Sequence, residues 1–155
     1  MSNKIQVVET VGIVSVVLSL LFVAYQIQQT NQIAIVTTEV EIRNSYGELN
    51  ESMYSAPQLA RLIEKATEPS FTPQEGELTQ LRSLAFRFLN VWMAAEIAYN
   101  NDMLPTESFE IVLNDIRYLV HEISYMRVML KEILDNYPGW DGTQVATTIR
   151  SEIAN

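Results

Sequence analysis

From Val11 to Tyr25 the chain reads VGIVSVVLSLLFVAY, with no charge and nothing more polar than two serines. No other segment constrains the fold as strongly. A helix rises about 1.5 Å per residue, so this run covers roughly 22 Å, and adding Val7, Val8 and the turn at Ile27 brings it near the ~30 Å of a bilayer core. The uncharged stretch continues through Thr38. A transmembrane helix is the expectation. A buried core helix, or even a buried strand given the many β-branched residues, is the competing assignment. Against a cleavable signal peptide, Glu9 sits inside the region that should be basic, and no A-x-A site follows the run. The segment therefore reads as an uncleaved anchor.

Composition agrees with an apolar segment that lies outside an ordinary core. Hydrophobic residues make up 48% and charged residues 19% of the 155, whereas a soluble domain of this size carries about a quarter charged. The length suits one domain plus an anchor. Nineteen acidic against ten basic residues give a net charge of -9, so the summed field repels polyanions and nucleic acid is not an expected partner. There is no cysteine, which removes disulfides and thiolate chemistry and leaves the redox compartment open. Orientation is weakly specified: Lys4 is the basic residue on one flank and Arg43 the first on the other, a bias that slightly favours an inside N-terminus.

Gly12, Ser15, Ser19 and Gln26 recur at spacings of three, four and seven, which puts them on one face of the anchor helix. Small residues on one stripe let two helices approach closely in lipid, so this face is a candidate interface. Equally, serines in membrane helices satisfy themselves against their own backbone.

After the anchor, residues 29–54 contain no proline and one glycine, so the helix is expected to run on as a stalk. Its apolar positions Ile33, Val36, Val40, Tyr46 and Met53 keep rough helical spacing. Ser55-Ala56-Pro57-Gln58 reads as a helix start with a capping serine. Thr72-Pro73-Gln74-Glu75 reads as a stronger one, with Thr72 as cap and Glu75 three residues later as in a capping box. The helix it opens, to about Asn101, is apolar on two faces and belongs in the middle of a bundle. Beyond Pro105, a single stripe from Phe109 to Leu134 predicts one long helix ending at Tyr137-Pro138-Gly139, and the last residues predict a short, weak terminal helix. The expected fold is all-α: a transmembrane anchor over 1–28, a helical stalk over 29–54, and an irregular three- to four-helix bundle over 55–155.

Sites of chemistry are hard to find. His121 is the one histidine, and without cysteine the nitrogen and sulfur ligand sets of zinc and most transition metals cannot be built in one chain. A di-iron bundle needs Glu-x-x-His motifs, but Tyr118 stands three before His121. His121 itself, one turn from Arg117 and Tyr125, reads as an exposed or capping histidine. The five scattered glycines form no phosphate cradle. No cofactor or metal is expected, and no enzymatic activity. Arg87, Asn90 and Glu96 interrupt the most apolar helix of the domain and would be costly there unless paired, so they form a candidate buried polar network. Glu96 must find its partner on another helix or subunit.

The anchor ending in VAYQIQQTNQ, the PQLARLI helix start, and the TPQE start leading to NVWMAAEIAYNNDML together resemble a widespread group of uncharacterised bacterial proteins. Those have one N-terminal membrane helix ending in a tyrosine-glutamine-isoleucine pattern. In that group Tyr25, Gln26, Ile27 and Glu96 match recurring positions. The chain departs where the group often has an arginine after the anchor and a Gly-Leu-Leu turn; here stand Gln28 and Asn101-Asp102-Met103. The resemblance implies a single-pass protein of a bacterial inner (cytoplasmic) membrane, with the side of the helical domain open, and implies no activity. Taken together, these features lead to the expectation of a membrane-anchored helical interaction module, self-associating or an accessory subunit of a membrane complex. The alternative is a homo-oligomeric pore in which Ser15, Ser19 and Gln26 line a lumen.

Overall fold

A computed structural model describes residues 2–154, with side chains from residue 9 onward. Lys4, Val7 and Val8 therefore lie outside the described side chains, and with them the charge on that flank. Among the described residues there is no strand, and six α-helices account for most of the chain: α1 (Ser2–Ser55), α2 (Pro57–Ala66), α3 (Glu75–Asn100), α4 (Thr106–Glu122), α5 (Ser124–Asn136) and α6 (Gln144–Ala154), with a 3-10 turn over Pro138–Trp140. The expected all-α fold, a long N-terminal helix followed by a helical bundle, is what the chain adopts.

Two compact units divide the chain, Met1–Thr37 and Thr38–Asn155, so the boundary falls inside α1. Among the described residues the first unit contributes no buried one: every position from Glu9 to Ile33 is exposed. In the second unit, Leu49 is fully buried and Ile42, Tyr46 and Met53 pack on the core beside it. The stalk expected over 29–54 is thus, from Thr38 onward, one of the helices of the bundle. The apolar spacing Ile42, Tyr46, Leu49, Met53 is what fits it to that role. α1 ends at Ser55 because the residue before Pro57, Ala56, is forced out of the helical region, to φ -111 and ψ 92. Ala56, not Ser55, occupies the cap position, and its carbonyl accepts the N–H groups of Leu59 and Ala60.

α3 is central. It packs against α2, α4, α5 and α6, burying Leu81, Leu84, Phe88, Leu89, Trp92 and Ala95 along one broad stripe. Of the second stripe expected on this helix, Leu89 is fully buried, Phe86 and Met93 pack at the margin of the core, and Ile97 is exposed. The helix starts two residues later than the Thr72 cap implies. Gln74 is the cap, and its backbone N–H donates to Glu77 Oε2 at 3.0 Å. Glu77 wins over Glu75 because the same carboxylate also pairs with Lys65 of α2 at 3.0 Å. The Gln74 N–H first, and Lys65 second, hold the Glu77 carboxyl below the usual carboxylate range.

The single helix expected over 106–137 is broken. Ile123 is extended, at φ -109 and ψ 92, and its side chain is buried. The break turns the apolar face so that α4 buries Phe109, Leu113, Ile116 and Val120 while α5 buries Met126, Met129, Leu130 and Ile133. Polar groups freed at the break are satisfied: Arg127 Nε donates to the Val120 carbonyl at 2.7 Å, and Ser124 Oγ donates to the Thr67 carbonyl at 2.9 Å. α6 is no weak appendage, since Val145, Ala146 and Ile149 are fully buried and the helix packs against α3, α4 and α5.

Candidate functional site

The first candidate is the unburied half of α1. Beginning at Glu9, the helix is long and apolar enough to cross a membrane, and the most apolar stretch, of mean hydropathy 2.1, has none of its residues buried. Large apolar side chains stand out on every side, among them Val11, Leu18, Leu20, Leu21, Phe22 and Tyr25. Of the four positions expected at a helix interface, Ser15 donates its hydroxyl to the Val11 carbonyl and Ser19 to the Ser15 carbonyl, both at 2.8 Å. Gly12 has nothing near its missing Cβ, and Gln26 is exposed.

The expected network of Arg87, Asn90 and Glu96 does not assemble. Arg87 and Asn90 are exposed. Arg87 Nη1 donates to Ser52 Oγ of α1 at 2.9 Å. Glu96 is buried, 5% exposed, and finds its partner on another helix. Its Oε1 accepts the N–H of Gln144 at 2.6 Å and its Oε2 the N–H of Val145 at 2.8 Å. A carboxylate at these two donors satisfies the open first turn of α6 and lies on the positive end of its dipole. Thr143 Oγ1 accepts a third N–H, that of Ala146, at 3.1 Å.

A polar cluster joins α1, α3 and α4. Trp92 Nε1 donates to Asp115 Oδ2 at 3.0 Å. The Tyr46 hydroxyl is buried beside the same carboxylate, yet closes no hydrogen bond of good geometry among the described residues. Burial raises the Asp115 carboxyl above the ordinary aspartate range, and the Trp92 N–H, with the Tyr46 hydroxyl lying beside the carboxylate, offsets this only in part. Burial, and after it the Asp115 charge, push the Tyr46 phenol far above its usual range. Neither side chain signals its partner by spacing, since they are far apart in sequence and each is ordinary on its own helix. The one available sign was Asp115 standing next to the apolar stripe of α4.

His121 is half-exposed. Its Nε2 lies 2.9 Å from Glu152 Oε2, and its Nδ1 faces Arg127 Nη2 at 3.0 Å. Because arginine can only donate, Nδ1 is the acceptor and the neutral ring carries its proton on Nε2, toward Glu152. Arg117 Nε reaches the other Glu152 oxygen at 3.8 Å, so the histidine is one element of a surface ion cluster between α4, α5 and α6. No group of three or more His, Cys, Asp or Glu side chains placed to hold a metal ion occurs among the described residues.

Two open grooves indent the second unit. One, of about 430 Å³, runs between Gln58 and Leu59 of α2 and Thr79, Ser83 and Arg87 of α3. The other, of about 380 Å³, is bounded by Arg82 and Phe86 of α3 and by Glu132 and Asn136 of α5, where Arg82 pairs with Glu132 at 2.7 Å. No protein-family model matches the chain. Neither a curated protein nor a solved structure matches it.

Proposed function

We propose that the protein is a membrane-anchored, non-enzymatic helical module that holds a small acidic bundle at a bacterial cytoplasmic membrane for assembly with other protein chains. One observation carries this reading: the most apolar stretch of the chain has none of its residues buried, although the same chain builds a well-packed core elsewhere. A core helix would hide its apolar side chains. A helix apolar on all sides and covered by nothing is suited to lipid. The bacterial placement rests on the Tyr25-Gln26-Ile27 resemblance.

The bundle supplies stability and surface. Its polar clusters at Glu96 and at His121 act as a helix cap and as hydrogen bonds and an Arg117–Glu152 ion pair between helices, roles that fix architecture. The pore alternative draws little support from Ser15 and Ser19, whose hydroxyls are occupied by their own backbone. Native mass spectrometry of the protein extracted gently from its membranes tests the reading. A discrete stoichiometric assembly, of this chain alone or with a second polypeptide, supports it; a bare monomer under conditions that preserve other membrane complexes contradicts it.

A further inference from the structure

The corner between α4 and α5 is made without proline or glycine, neither of which occurs between Pro105 and Pro138. One side chain spans the break. Arg127 of α5, half-buried, donates through Nε to the Val120 carbonyl at 2.7 Å and through Nη2 to His121 Nδ1 at 3.0 Å, both in the last turn of α4. The second of these bonds exists only while Nδ1 keeps its lone pair, because a guanidinium offers donors and no acceptor.

On its other side the ring meets Glu152 of α6, with Nε2 at 2.9 Å from Oε2. A carboxylate accepts from the neutral ring and from the imidazolium alike, so this bond outlasts protonation. Among the other charged neighbours, Arg117 of α4 reaches the same carboxylate at 3.8 Å, and Glu122, next in sequence, is exposed. Tyr125 is engaged edge-on with Phe71. From α3, which also packs on α4, no hydrogen bond or ion pair reaches the ring among the described residues. A second proton on the ring therefore turns the contact with Arg127 from a bond into a meeting of like charges.

We infer that His121 and Arg127 form a pH-sensitive latch at the α4–α5 corner, closed while the ring is neutral and released when Nδ1 takes up a proton, with Glu152 still holding the ring to α6. Histidine is the side-chain type that changes charge between about pH 5 and 8, and arginine and glutamate are not. Release takes away one of the two bonds by which Arg127 braces the end of α4, and so loosens the corner that sets α5 against it. The latch lies wholly within the second unit and is independent of the membrane reading.

The chain has one histidine, so labelling histidine with the heavy nitrogen isotope gives a single pair of ring signals in the full-length protein in detergent micelles. At about pH 7.5 the proton should sit on Nε2 with Nδ1 bare, and at about pH 5.5 both nitrogens should carry one. Over the same interval, hydrogen exchange is read at the Ile123 and Met126 amides, which bond to the Leu119 and Ile123 carbonyls at the corner. Measured against the unstructured chain at each pH, it should rise at least about threefold. His121→Gln keeps an oxygen that can accept from Arg127 and cannot titrate, so it should abolish the rise, although Asp115, whose carboxyl burial pushes up, is still present. A proton on Nδ1 at the higher pH, a ring still neutral at the lower one, a smaller rise, or a rise that persists in His121→Gln overturns the latch.

Discussion

Glu96 and Val145 lie 49 residues apart, and the carboxylate of the first accepts the backbone N–H of the second at 2.8 Å. With the Gln144 N–H at 2.6 Å on its other oxygen, Glu96 fixes where the last helix begins. Replacing it strands the buried Val145 N–H and the half-buried Gln144 N–H. Glu96→Ala is expected to cost about 3 kcal/mol of bundle stability, the range for losing charge-assisted bonds and leaving buried donors bare. Glu96→Gln keeps one acceptor and should cost roughly half as much. Chemical denaturation of the detergent-solubilised protein reads both, and hydrogen exchange should show α6 losing protection first.

Asp115 gives a pH prediction whose sign runs opposite to that of most carboxylates. Its folded-state pKa is raised by burial, so the proton is bound more tightly in the folded chain than in the unfolded one. The stabilisation linked to that proton is complete below the unfolded pKa and is lost as pH rises through the folded value. Asp115→Asn retains an acceptor for Trp92 and avoids the buried charge. Its melting temperature should exceed that of the wild type at pH 7, and the gap should shrink steadily toward pH 3. Asp115→Ala instead orphans the Trp92 N–H and should lose about 1–2 kcal/mol.

The two parts of α1 should respond differently to the same substitution. Leu49→Ala opens a cavity in the core of the second unit and should cost about 3 kcal/mol. Leu20 has no neighbour to lose, being 64% exposed, so Leu20→Ala should leave the denaturation midpoint of the bundle in detergent unchanged within about 0.5 kcal/mol.

Gly142 sits at φ 89 in the turn before α6, a conformation that costs a residue with a Cβ about 1–2 kcal/mol. Gly142→Ala should lower stability by that amount. Asp102, at φ 57, holds a left-handed backbone conformation after α3 that glycine adopts without the Cβ penalty. Asp102→Gly should therefore be tolerated or mildly stabilising in the same thermal melts.

Helix type and order were legible because they depend on local signals: the apolar run to Tyr25, the prolines at 57 and 105, and the stripes of α3 and α4. What spacing could not show was which neighbour each face would meet. Ile123 breaks a periodic stripe with no proline or glycine near it, since tertiary packing of Met126 and Met129 decides the matter. Arg87 and Asn90 read as buried because they interrupt a helix apolar on two faces, whereas both are exposed and Arg87 reaches Ser52 of α1. Glu96 meets the N–H groups of α6, while the Tyr46, Trp92 and Asp115 cluster draws on three helices, of which only Asp115, beside the stripe of α4, shows a sign in the sequence.

Flotation of the purified full-length chain with liposomes, followed by alkaline carbonate extraction, tests membrane anchoring by α1 most directly. The wild type should stay with the lipid after carbonate, and Leu18→Arg combined with Leu21→Arg should release the chain with its bundle still helical. A wild-type chain that remains in the aqueous fraction, folded and monodisperse without detergent, would contradict a membrane role for this helix.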